Sequence, residues 1–426
     1  MDTVASESTQ QMLIPGECVD LYYPNEMTSK KQCFRTTVNS RYVQAFAQLG
    51  QGTSTFTIPP QNGVQDVIIQ LQLPSSLSTS GATGLALSRG WGYQLINQIS
   101  FRVGGSSQYF VSGSQLAIQA LRQSPNGNAR DALFALGGNA LSSQTDFNVA
   151  SNLYAYCWLS LPWSKPSSSG KPDPLPTDLL TQQVQITVQL NSLASIFTVY
   201  SASPSAIPSS LASAQFQVQQ IMLDNQGDAL ARRVDMTTHS LSYPVEFMQQ
   251  SSQVTGLGTS ANQTVNLTGF RSGEVKSILV WLTAPQDVAV GVTNRWFAPQ
   301  QMTMTYAGEI FARFDAGSSQ LWNLINSRQT SAVSASTQFT TGTALSTTAE
   351  NYTWAELPFG QAYVDDTAHH VYVSGKEITN GIVQLQLTPP VATSAGGGAI
   401  TSWILNVAYV YNSILVFSQG TCDYAF

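Results

Sequence analysis

The sequence predicts an all-β protein built as two tandem β-sandwiches, with short helices confined to the loops between strands. Three observations carry that expectation: a long-period internal repeat, strict alternation of apolar and polar side chains in run after run, and a composition poor in charge. A repeat of this period means one structural unit used twice.

Taken in chain order, residues 67–73 answer to residues 275–282. Phe101-Arg102-Val103-Gly104-Gly105, followed by Ser114-Gln115-Leu116, answers to Met304-Thr305-Tyr306-Ala307-Gly308, followed by Ser319-Gln320-Leu321. Residues 184–190 answer to 383–387, and 214–223 to 403–410.

Each repeated run has strand periodicity. Leu95, Ile99, Phe101 and Val103 share a face, as do Val184, Ile186, Val188 and Leu190 opposite Gln185, Thr187 and Gln189. Val383, Leu385 and Leu387 alternate with Gln384 and Gln386, and Trp403, Leu405, Val407, Tyr409 and Tyr411 form one face near the end. Alternation marks strands with one face on a core and the other towards water or a partner. Two helices interrupt the pattern at matching places. Residues 114–123 carry Leu116, Ala120 and Leu121 on one side, and residues 319–328 carry Leu321, Leu324 and Ile325, each with a serine near its start. Residues 74–89, 162–180, 251–262 and 330–350 read as long loops that form an outer surface or contact neighbours. Residues 192–213, rich in Ser, Ala and Pro, read as the last loop of the first unit and the domain junction.

Composition restricts function. Only 10% of the residues are charged and the net charge is −6, so self-repulsion is weak and the chain either assembles or presents a neutral, hydrogen-bonding surface. No basic run exceeds Lys30-Lys31 or Arg232-Arg233, which argues against direct nucleic-acid binding. Residues 1–11 lack the apolar core of a secretory signal. The most apolar stretch, 403–417, falls short of the roughly twenty residues a membrane-spanning helix needs and reads as a long strand.

Catalytic and metal constellations are weak. Cys18, Cys33, Cys157 and Cys422 have spacings that fit neither a zinc site nor a dense disulfide framework. Buried free thiols are the expectation, and a Cys18–Cys33 bridge is the alternative. The histidines are His239, His369 and His370. Asp365-Asp366 with His369-His370 is the best metal-like cluster, but adjacent histidines in a strand point to opposite faces, so a polar loop beside a strand is the plainer reading. A two-barrel metalloenzyme needs several histidines in each barrel, and there is none before His239. Gly104-Gly105, Gly137-Gly138 and Gly396-Gly397-Gly398 lack the Lys-Ser/Thr of a phosphate loop and read as turns. No catalytic, cofactor or metal residue is therefore assigned, and the chain is expected not to be an enzyme. Asn262, Asn266 and Asn351 stand in N-glycosylation triplets, whose occupancy the sequence leaves open.

Residues 214–224 (Ala-Gln-Phe-Gln-Val-Gln-Gln-Ile-Met-Leu-Asp), then Ala229 to Arg233 and His239 to Gln250, resemble a pattern of double jelly-roll major capsid proteins of large icosahedral DNA viruses and virophages. In those proteins the pattern closes the first jelly roll. Residues 99–105 resemble the family's strand before a helix. Residues 409–420 resemble its closing strand, with Ser413 and Val416 departing from it. The resemblance covers most of residues 30–426 and implies two eight-stranded jelly rolls, placed at 32–212 and 213–426 after an N-terminal arm, 1–31. It also implies a structural role in the virion shell as a homotrimer, a pseudo-hexagonal capsomer packed against neighbouring capsomers and minor capsid, cement or penton proteins. An inner membrane beneath the arm stays open. The alternatives are a tandem carbohydrate-binding sandwich, favoured by Trp91, Trp163, Trp296 and Trp354 in expected loops, and a minor or vertex capsid protein.

Overall fold

The computed structural model describes residues 34–42, 52–58, 60, 63–74, 85–87, 90–103, 109–122, 153–159, 175–199, 210–223, 241–250, 253–270, 274–289, 295–315, 338–340, 349–352, 354–358, 362–365, 370–373, 376–378, 383–394, 398–418 and 420–425. The arm 1–31, the helix expected at 319–328 and the turn leading to His239 lie outside the described residues.

The strands of the first unit are β1 (Phe34–Tyr42), β2 (Thr53–Ile58), β3 (Gly63–Leu73), β4 (Ile96–Arg102), β5 (Tyr109–Ser112), β6 (Leu153–Leu159), β7 (Val184–Leu190) and β8 (Ser213–Leu223). Those of the second are β9 (Leu241–Gln250), β10 (Gln263–Leu267), β11 (Glu274–Thr283), β12 (Gln301–Tyr306), β13 (Glu309–Asp315), β14 (Ala355–Pro358), β15 (Val383–Thr388) and β16 (Trp403–Ser418). The first unit forms two antiparallel sheets in the orders β1-β8-β3-β6 and β2-β7-β4-β5. The second repeats this with every number raised by eight: β9-β16-β11-β14 and β10-β15-β12-β13. Each unit thus contains the expected jelly roll of eight strands, and the larger sheet of the second also takes up Val254–Leu257, Lys376–Glu377 and Thr421–Ala425, seven strands in all.

The registers match as well as the orders. Phe101 on β4 faces Ile186 on β7, and Met304 on β12 faces Leu385 on β15, so the repeated motifs occupy equivalent places. Alternation explains the burial. In β3, Val67, Ile69, Leu71 and Leu73 are buried while Ile68, Gln70 and Gln72 are half-buried on the outer face. Phe216 of β8 stacks on Phe56 of β2 with ring centroids 4.2 Å apart, joining the two sheets of the first sandwich. In the second, Tyr409 of β16 lies 4.2 Å from Phe270, and its hydroxyl donates to the Thr268 carbonyl at 3.0 Å.

Four expectations change. The boundary between units does not fall at 212/213: β8 (Ser213–Leu223) pairs with β1 and β3, so it closes the first jelly roll and the junction lies between β8 and β9. The Ser/Ala/Pro-rich stretch is a connection inside the first unit. Its composition marks a loop, and a loop inside a jelly roll has the same composition as one between domains.

Secondly, the second unit's central strands are buried on both faces. Asn406, Ala408 and Val410 of β16 and Ser277, Leu279 and Trp281 of β11 are buried along with the alternate residues. Asn406 accepts from Gln253 and donates to Thr283, which satisfies its amide. Thirdly, Leu95 ends a short helix, α1 (Trp91–Leu95), before β4, although it stays on the buried face. Finally, the expected loops contain short strands. Leu85–Leu87 pairs with Phe197–Val199, Val254–Leu257 joins β16, and Gln338–Thr340 pairs with Ala349–Tyr352.

The helix expected at 114–123 is present as α2 (Gly113–Arg122). It is buried on all sides from Gln115 to Ala120. Gly113 is required there, since a Cβ would collide with the Tyr93 and Ile96 carbonyls.

Candidate assembly surfaces

The described residues present edges and faces of sheets, and the most specific side-chain contacts lie where the two jelly rolls meet. β5 is the edge strand of its sheet, and β9 is the edge strand of a sheet in the other unit. An edge strand leaves backbone N–H and C=O groups unpaired. At Met248 both are taken by one side chain: the Tyr109 hydroxyl donates to the Met248 carbonyl at 2.8 Å and accepts from the Met248 N–H at 3.1 Å. The Tyr109 ring lies 4.3 Å from Phe247, which in turn lies 6.3 Å from Tyr411.

A second contact extends this seam. Ser112 donates to the Gln250 side chain at 3.0 Å. The same serine caps α2: its hydroxyl accepts from the Gln115 N–H, while the Gln115 side chain accepts from the Ser112 N–H at 2.7 Å. That reciprocal pair is a capping box with glutamine at the third position. One serine therefore orients the helix and ties the units together. In a separate contact between the units, the Thr181 N–H and hydroxyl donate to the Gly420 carbonyl at 2.8 and 2.9 Å. Gly420 has φ 79°, and a Cβ there would run into the Thr181 methyl, so glycine is needed for both reasons.

The β2-β7-β4-β5 and β10-β15-β12-β13 sheets expose mainly neutral side chains, the exposed charges on their strands among the described residues being Arg102 on β4 and Glu309 and Arg313 on β13. Thr53, Thr55, Thr57, Gln98 and Gln185 are exposed on one, and Thr264, Asn266, Gln384, Gln386 and Gln301 on the other. The Thr55 and Thr187 hydroxyls are hydrogen-bonded at 3.0 Å. Buried charge is paired: Arg295 meets Asp287 at 3.1 Å and also donates to the Thr393 carbonyl.

The residues weighed from sequence are placed as follows. Asp365 and His370 are register partners in the hairpin Ala362–Asp365/His370–Val373, while Asp366 and His369 lie outside the described residues. Among the described residues no three His, Cys, Asp or Glu side chains come together. Trp91, Trp296 and Trp354 are buried in the core, so they do not form an exposed sugar-stacking platform, and Trp163 is outside the described residues. Asn262, at φ 61°, and Asn266 are exposed, and Asn351 lies in the strand Ala349–Tyr352. Cys18 and Cys33 are outside the described residues, whereas Cys157 and Cys422 are buried free thiols. No sequence signal pointed to Tyr109 or Ser112: each is an ordinary strand residue until its partner, more than a hundred positions away, is known.

Burial pushes the Cys157 thiol well up from its ordinary value, and burial, then the neighbouring Cys157, pushes the Tyr93 hydroxyl up as well. Folded-state values that are raised give stability that is complete below the unfolded value and lost above it. Stability is therefore expected to stay level up to about pH 9 and to fall beyond, because the unfolded chain releases protons that the folded one keeps. Urea midpoints from pH 7 to 10.5 test this. Cys157→Val should flatten the fall, and an identical fall in wild type and variant would remove Cys157 as its cause.

No family model and no curated protein sequence matches this chain. Solved structures do match its fold. The VP54 protein of PBCV-1, as fitted into a reconstruction of the virophage Sputnik, superposes with a TM-score of 0.65 at 12% identity, covering 93% of this chain and 98% of that one. The Faustovirus major capsid protein gives 0.58 at 10% identity, covering 92% of each chain. The mavirus major capsid protein gives 0.53 at 9% identity, with 94% and 93% covered. The similarity runs the length of both jelly rolls and is one of fold.

Proposed function

We propose that this chain is a major capsid protein of an icosahedral double-stranded DNA virus, acting in the virion shell as a homotrimeric, pseudo-hexagonal capsomer. The observation that carries the proposal is the duplication itself: two jelly rolls of one topology and one register, joined edge to edge, in a chain whose fold matches major capsid proteins over nearly its whole length. Three such chains supply six similar wedges, and cyclic closure of one head-to-tail interface yields a finite ring and not a filament. The neutral Thr/Gln faces suit the repeated, near-equivalent contacts of a shell, since they impose little repulsion between neighbouring capsomers. The role is structural and not catalytic. Neighbouring capsomers and minor capsid, cement or penton proteins are the partners, and the segment 1–31 is assigned to the underside of the tile. A minor or vertex protein would need one jelly roll, not two. The carbohydrate-binding alternative loses its main support with Trp91, Trp296 and Trp354 in the core.

An obligate interface of this class buries more than about 2,000 Å², so the trimer should survive dilution. Mass photometry at sub-micromolar protein is expected to give three times the chain's mass, and negative stain to give hexagonal outlines. A monomer at that concentration, with no hexagonal arrays on concentration, would remove the capsid reading.

A further inference from the structure

One hairpin of the second unit stands outside the repeat. Strand β17 (Thr421–Ala425) folds back on the end of β16, Ser418 pairing with Thr421 and Ile414 with Ala425. The counterpart of β16 in the first unit is β8, which among the described residues pairs only with β1 and β3. The repeated eight-stranded sandwich therefore does not need β17. The turn of this hairpin lies on the other jelly roll. The Gly420 carbonyl accepts from both donors of Thr181, and a Cβ on Gly420 would lie 2.5 Å from the Thr181 methyl. The receiving segment is itself held. Leu175 exchanges two backbone hydrogen bonds of 2.8 Å with Val64 at the start of β3, and Leu175 and Leu179 are buried. On its own side the hairpin is anchored by Phe417 and Cys422, which are register partners and both buried.

We infer that this hairpin is a strap that sets the angle between the two jelly rolls, and that the angle it sets is the one at which three chains close. The second half rests on the capsomer reading. A single line of contact lets two rigid bodies turn about it, and a second contact away from that line stops the rotation. The seam supplies the first: Met248, held by the Tyr109 hydroxyl, is the register partner of Val410 on β16. Gly420 supplies the second. It lies just past Ser418 at the end of the same strand, eight positions on from Val410 (410 to 418) and so roughly 25 Å along β16. At that distance a turn too small to strain the seam carries the Gly420 carbonyl out of hydrogen-bond reach of Thr181. The seam thus holds the units together, while the strap fixes how they are turned. A closed ring demands one angle between successive subunits, and an error in the angle inside a chain recurs in every copy.

The test compares the full-length wild type with Thr181→Val, which drops the hydroxyl donor, and with Gly420→Ala, which blocks the close approach. Two quantities are measured: hydrogen exchange at the Thr181 amide, and the protein concentration at which the trimer dissociates. Thr181 is exposed and its amide is bonded to the Gly420 carbonyl, so slow exchange there reports the closed strap. The wild type is expected to protect this amide. Thr181→Val should speed its exchange about three- to tenfold, the effect of one lost hydrogen bond, and Gly420→Ala about tenfold or more. The dissociation concentration should rise in the same order, with exchange in β3, β7, β11 and β16 unchanged. If β16 also exchanges faster in Gly420→Ala, Thr181→Val, which leaves the hairpin intact, carries the comparison. An unprotected Thr181 amide in the wild type, or variants that lose the protection yet dissociate at the wild-type concentration, overturn this inference and leave the capsomer standing. A wild-type monomer removes both.

Discussion

Replacing Phe216 with alanine is expected to destabilise the first jelly roll by about 3–5 kcal/mol, the usual cost of emptying a large aromatic site in a packed core. Phe216 is fully buried at the middle of β8, facing Ile69 on one neighbour and Tyr42 on the other. Its ring stacks on Phe56 across the sandwich, which adds to the loss. Gln217, the next residue, faces outward and donates to Gln70 at 2.9 Å. Gln217→Ala should therefore cost about 1 kcal/mol or less. Urea unfolding followed by tryptophan fluorescence separates the two variants. The pair also tests where the first unit ends. In a background where Tyr109→Ala breaks the seam and the units unfold separately, Phe216→Ala should lower the first unit's transition, and a fall in the second unit's transition instead would place β8 there. A loss below about 1 kcal/mol would contradict the burial argument altogether.

The second large effect is on the joint between the units. Tyr109→Phe keeps the ring against Phe247 but removes the hydroxyl that serves both the N–H and the C=O of Met248. Two buried backbone groups then lose their partner, at about 1–3 kcal/mol for a group left unsatisfied. Tyr109→Ala also removes the ring and should cost more. The loss falls on the coupling between jelly rolls and not on either core. Calorimetry should accordingly resolve one cooperative transition in the wild type into two in Tyr109→Ala, with Tyr109→Phe between them. A single transition shifted as a whole in both variants would mean that the seam does not couple the units.

Much of this architecture was legible before any coordinates. Val184, Ile186 and Val188 alternate with Gln185 and Thr187 because one side of β7 faces a core and the other faces water, and the same logic at Val383, Leu385 and Leu387 marks its counterpart β15. The pairing of residues 214–223 with 403–410 even places β8 as the last strand of its unit, opposite in implication to the boundary drawn at 212/213. The repeat carried the better information there, since strand order follows from repetition whereas loop composition does not distinguish one kind of connection from another.

What the sequence by itself determined is the periodic part: strand or helix, which face is apolar, and that one unit occurs twice. The first two depend on neighbours two to four positions away, which a sequence displays directly, and the third on comparing one half of the chain with the other. The tertiary structure alone decided the rest. Trp91 and Trp354 sit in connections that read as exposed loops, yet the fold closes over them. The alternate residues of β16, among them Asn406 and Ala408, are buried on a face that periodicity assigns to water or a partner. Tyr109 meets Met248 across 139 positions of chain, and nothing local to either residue encodes the other. Local order is set by steric preference and side-chain alternation, whereas the seam is set by where two finished sheets leave their edges.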